Sequence, residues 1–169
     1  MSFKLSWRTH IICFFMSLFL TFLLGNTKYT IIENFIMEIY PLYPEKFLIL
    51  TFFLSVILLL IPMIAVHEAI HGITYTIFGG RVKYGFKGIY AYTMEVSEKP
   101  IERTKFLIVL LMPVIIISLL SMLLPSWLGG IIYFLNLLGS TGDLYMAILL
   151  IKLDNNSKII DKSYGFDVV

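Results

Sequence analysis

Cysteine is almost missing from this chain of 169 residues: there is one, Cys13, within an apolar run. A lone cysteine forms no internal disulfide. With no C-x-x-C pair present, any metal site must draw on histidine and carboxylate. Charge is scarce as well. Asp, Glu, Lys and Arg make up 14% of the residues, where a soluble domain carries about 25%. The net charge of +2 is too small for a nucleic-acid surface, so no nucleic-acid partner is expected. Histidine occurs three times. Apolar side chains are plentiful, at 59% of the residues with a mean hydropathy of +0.89. These values exclude an ordinary water-soluble domain and point to an integral membrane protein with lipids around it. The length suggests one membrane-embedded domain over residues 1–169.

Four apolar blocks are expected to cross the membrane, at about 6–25, 47–78, 104–124 and 127–153. The first has its apolar centre at His10–Leu24, which is short for a span of about 20 residues. It suffices over Ser6–Gly25 if Arg8 snorkels to the headgroups. Lys4 and Arg8 ahead of that run also suit a signal peptide. No A-x-A-like cleavage site follows in "LLGNTKYT", so an uncleaved helix is expected. The second block is the longest and holds Pro62, a predicted kink; the third includes Pro113; "LPSWLGG" makes a tight turn into the fourth. The fold class expected is an all-α polytopic membrane protein of about four transmembrane helices, with a short strand-like cytoplasmic loop between the second and third.

Basic residues set an orientation. The N-terminal tail has Lys4 and Arg8, the loop 79–105 has six Lys or Arg, and the C-terminal tail has Lys152, Lys158 and Lys162. Loop 26–46 has two, Lys28 and Lys46, accompanied by three glutamates. Four spans with both termini inside place eleven of the thirteen basic residues in the cytoplasm, as the positive-inside rule favours. The expected location is the plasma membrane. Within loop 79–105, "RVKYGFKGIYAYTMEV" is rich in Val, Ile, Tyr and Phe and is interrupted by Gly85 and Gly88. It reads equally as one or two short surface strands or as an amphipathic loop.

The second block contains "VHEAIHG", residues 66–72. On a helix, His67 and His71 project from one face, one turn apart, so both imidazoles can bind one metal ion. Glu68, beside the first, can reach an attacking water without binding the metal. This H-E-x-x-H arrangement supplies two zinc ligands and a general base. The plainer account is a chance match, with the histidines hydrogen-bonded inside a helix bundle. Against it stands the cost of ionisable groups in a bilayer, at least about 2.5 kcal/mol each at the centre.

A catalytic zinc site needs a third protein ligand. His10 is possible but isolated, and suits an interfacial histidine. Asp143, in "NLLGSTGDLY", is the only acidic residue of the last two blocks. His71 precedes Arg81 by ten residues and Asp143 precedes Lys152 by nine. Both therefore lie about 14–15 Å below the cytoplasmic charges. A helix-packing aspartate bonded to Ser or Thr is the alternative. Gly139 and Gly142 would let another backbone approach there. In a continuous helix Asn136, Ser140 and Asp143 share a face, so Asn136 either donates to a substrate carbonyl or bonds helices together.

"HEAIHG", the glycine-bearing strand-like loop, the apolar helix with Pro113, and "GSTGD" at 139–143 resemble the zincin peptidase family of small membrane proteins, relatives of the site-2 intramembrane zinc metalloproteases. The likeness covers about residues 47–153. It implies His67, His71 and Asp143 as Zn2+ ligands and Glu68 as catalytic acid/base. The activity implied is hydrolysis of peptide bonds in or near the membrane, on a transmembrane or membrane-associated polypeptide. An inactive, zinc-stabilised membrane scaffold or regulator is the main alternative. A metal transporter is a weaker one, because the apolar portions of 47–60 and 113–135 hold no Asp, Glu or His.

Overall fold

The computed structural model describes residues 2–42, 47–87, 90–97, 99–162 and 164–169. Two of its helices are long and apolar enough to cross a membrane: α3 (Leu48–Ile77) and α4 (Arg103–Ser121). They lie close to the expected 47–78 and 104–124. Two further spans are possible if each of two bent helix pairs counts as one: α1 (Trp7–Leu23) with α2 (Thr27–Ile39), and α5 (Ser126–Gly139) with α6 (Thr141–Ile151). Phe14, Phe15, Phe19 and Phe22 of α1, and Leu50, Phe53, Leu54 and Leu58 of α3, are exposed. An apolar surface of that extent suits hydrocarbon.

Helix α1 falls within the expected span 6–25, and α2 takes the place of most of the expected loop 26–46. A capping box between Ser6 and Thr9 starts α1. Gly25, at φ +53°, ends it, and the chain turns by 88° into α2. Ile31, Phe35 and Ile39 recur every four residues and form an apolar stripe on α2. Phe35 and Ile39 pack with Ile131 of α5 and with Phe52, Val56 and Leu59 of α3. A short 3-10 turn, Tyr40–Leu42, follows, and Glu45 and Lys46 lie outside the described residues.

The all-α expectation is corrected by two antiparallel sheets. In the first, β2 (Val82–Lys87) and β3 (Tyr90–Glu95) pair as a hairpin, resolving the loop's ambiguity in favour of strands. Gly88 and Ile89 lie outside the described residues. The second joins distant parts of the chain in the order β1–β6–β5–β4: β1 (Ser2–Lys4), β6 (Gly165–Val168), β5 (Lys158–Lys162) and β4 (Ile101–Glu102). It puts the N-terminal residues, the end of loop 79–105 and the C-terminal residues on one side of the helices. Gly165 permits the join. Its φ is +136°, and a Cβ there would strike the backbone carbonyl of Phe3.

Helices and second sheet share one core. Ile159 and Phe166 of the sheet pack against Tyr75 of α3, Phe106, Val109 and Leu110 of α4, and Leu150 of α6. Arg103, the first residue of α4, ties that helix to the end of α6, its Nη1 donating to the Leu153 carbonyl at 2.8 Å.

Candidate metal centre

The helical repeat of α3 stacks His67 and His71 with ring centroids 4.8 Å apart. Asp143, in the first turn of α6, faces them from across the bundle. Its Oδ2 lies 3.0 Å from His67 Nε2 and 3.5 Å from His71 Nε2, and the two Nε2 atoms are 3.1 Å apart. His10 is exposed and not part of this cluster.

Neighbours fix which ring nitrogens carry hydrogen. His71 Nδ1 is 2.8 Å from the Val109 carbonyl, which can only accept, so Nδ1 is the donor. His67 Nδ1 is 3.3 Å from Asn136 Oδ1. The amide is oriented by its own Nδ2, which donates to the Val114 carbonyl at 3.5 Å. His67 Nδ1 is therefore a donor too. In the neutral form each ring turns its Nε2 lone pair toward the Asp143 carboxylate oxygen, so three ligand atoms converge on one point, an arrangement that a cation would complete.

Zinc fits this donor set. Ligand atoms about 2.0–2.1 Å from a tetrahedral zinc stand roughly 3.3 Å from one another, close to the three separations found. Two imidazoles and one carboxylate are a common catalytic set that leaves a position open.

The fourth apolar block is not the continuous helix expected. It breaks at Ser140, where α5 and α6 diverge by 51°. Ser140 bonds back to the Asn136 carbonyl through both its N–H and its hydroxyl. The break separates the supposed common face of Asn136 and Asp143. Asn136 meets one nitrogen of the His67 ring and Asp143 the other. Asn136 is only 1% exposed, and its amide is directed at His67 and Val114 rather than into open space. Gly139 and Gly142 do not serve a close backbone approach, since a Cβ at either would meet nothing within 4 Å. They flank the break, where glycine's poor helix propensity suits an interruption.

Glu68, His71 and Asp143 line a cavity of about 440 Å³. Tyr92, Thr93 and Met94 of β3 form another wall, and Asp161, Lys162 and Gly165 bring the second sheet to it. The hairpin is fastened to α3 next to the site. Thr93 Oγ1 donates to the Glu68 carbonyl at 2.8 Å, and the Tyr84 hydroxyl packs where a side chain at Gly72 would be. Tyr75, two turns along α3 from His67, donates its hydroxyl to Asp161 Oδ2 at 2.9 Å. Burial, foremost, raises the Asp161 carboxyl to about 6, and the Glu95 carboxylate pushes the same way.

Sequence reasoning passed over Tyr75, Asp161 and the Val109 carbonyl. Tyr75 carried a usable signal, for it continues the His67–His71 spacing by four more residues. Asp161 carried none, because its role depends on a chain segment far away in sequence, and Val109 carried only Pro113 four residues on, which frees its carbonyl without showing its partner. No curated protein and no solved structure matches the chain. The model of the family described as "Putative zincin peptidase" matches residues 59–158, more than half of the chain and with the whole His67–His71–Asp143 cluster inside it, and the chain belongs to that family.

Proposed function

We propose that this protein is a membrane-embedded zinc metallopeptidase, similar to site-2 proteases, that hydrolyses peptide bonds of transmembrane or membrane-associated polypeptides. The observation that carries the reading is the convergence of His67 Nε2, His71 Nε2 and Asp143 Oδ2 beside a cavity lined by Glu68. His67, His71 and Asp143 would hold the metal. When bound, zinc supplies Lewis acidity, easing ionisation of water and stabilising charge on a carbonyl oxygen.

The rest is the work of side chains. Glu68 accepts the proton of the attacking water and returns it to the leaving amine. Asn136 acts as a positioning residue, holding His67 by Nδ1, a role closer to the helix-bonding alternative read from the sequence than to donation to a substrate carbonyl. β3 walls the cavity, and its two-stranded sheet offers a template on which an unwound substrate segment can add as a strand. The sheet that gathers both ends of the chain supports placing both termini on the same side. The excess of basic residues makes that side the cytoplasm, and the plasma membrane is the proposed location.

The test is metal analysis combined with a peptide-cleavage assay on the purified full chain. Glu68→Gln should retain zinc and lose cleavage by about 10²–10⁴-fold. Asp143→Ala should lose both. Cleavage undiminished in Glu68→Gln would remove the general base from the scheme. Zinc bound by wild type with no turnover of any membrane peptide would favour the scaffold or regulator.

A further inference from the structure

In an α-helix each carbonyl accepts from the N–H four residues on. For Val109 that residue is Pro113, which has no N–H, although α4 continues through it from Arg103 to Ser121. The Val109 carbonyl is thereby released from the helix. Water does not replace the missing donor there, since Val109 is 1% exposed and Pro113 is among the fully buried residues. The acceptor is met instead by His71 Nδ1, at 2.8 Å.

We infer that Pro113 is a positioning residue for the metal centre: by withholding an N–H it dedicates the Val109 carbonyl to His71. That bond keeps hydrogen on Nδ1 and turns Nε2 toward His67 and Asp143. Any other residue at 113 would supply a competing donor, and the carbonyl would be shared between helix and imidazole. Pro62, the proline inside α3, is a natural contrast. The carbonyl it releases belongs to Leu58, and both residues are exposed on the apolar surface. Proline kinks in general therefore do not explain the arrangement at 113. The inference rests on the metallopeptidase reading for its purpose, but its hydrogen-bond core can be tested without metal.

The experiment compares wild type, Pro113→Ala and Pro62→Ala as full chains in detergent. Isotope-labelled histidine NMR reads the His71 tautomer in metal-free protein, assigned with His10→Gln and His67→Gln. Chelator competition reads zinc affinity. In wild type the neutral fraction of His71 should be wholly the Nδ1–H tautomer. Pro113→Ala should populate the other tautomer and bind zinc about 10–100-fold more weakly, with Pro62→Ala like wild type in both. A folded Pro113→Ala with the wild-type tautomer and zinc affinity within about twofold overturns the inference and leaves the metal centre standing. If wild type binds no zinc, the metal reading fails and the tautomer comparison still decides the role of Pro113. If Pro113→Ala does not fold, the wild-type spectrum decides: Nδ1–H on His71 supports the proposal, and Nε2–H overturns it.

Discussion

Replacing Asp161 with asparagine tests how the second sheet is fastened over the cavity. Asp161 lies on β5 and accepts the Tyr75 hydroxyl at 2.9 Å. Burial raises its carboxyl from an ordinary 3.8 to about 6, despite hydrogen bonds from Tyr75 and the Glu95 backbone that favour the ionised form. The folded protein therefore keeps this proton over a pH range where the unfolded chain has released it. Stability should fall as pH rises from about 4 to about 6 and stay at the lower level above that. A shift of roughly two pH units corresponds to about 3 kcal/mol. Asparagine cannot ionise, and its Oδ1 still accepts from Tyr75. Relative to wild type, Asp161→Asn should be nearly neutral at about pH 4 and more stable by up to about 3 kcal/mol at pH 7. On the scaling for a chain of this size, the gain in Tm at pH 7 is about 6–12 °C. Thermal unfolding followed by Trp7 and Trp127 fluorescence, at one scan rate and in one detergent, reads the difference. Taking variant minus wild type at each pH cancels the other titrating groups. A difference in Tm that does not change between pH 4 and pH 7 would refute the reasoning.

Asn136→Leu removes the acceptor from His67 Nδ1 while keeping the branching of the side chain, and should weaken zinc binding about 10–100-fold with helix content unchanged by circular dichroism. Gly165→Ala forces a side chain into φ +136° and against the Phe3 carbonyl. It should cost at least about 1–3 kcal/mol, lowering Tm and exposing Lys4 to trypsin as β1 leaves β6.

Much of the site was legible because its first part is local. The helical repeat alone puts His67 and His71 on one face with Glu68 beside them. Asp143 stood out as the only acid in the last two apolar blocks, and depth counting set it level with His71. The role of Asn136 was not legible. A continuous helix puts it on the face of Asp143, whereas the break at Ser140 sends the two residues to opposite nitrogens of one imidazole. The strands of the second sheet were missed for a related reason. β1 has three residues and β4 two, too few for an alternating pattern, and β1 pairs with a strand at the far end of the chain. Helix α2 was hidden by the charges of loop 26–46, although its stripe at Ile31, Phe35 and Ile39 was there to be found.

The amino-acid order by itself determined the apolar helices and the pairing of two imidazoles with a carboxylate neighbour, since both follow from residue type and the 3.6-residue turn. Tertiary structure alone decided which nitrogens of those imidazoles face inward. That choice is made by the Val109 carbonyl of α4 and the Asn136 amide of α5, partners on other helices that no local spacing reveals.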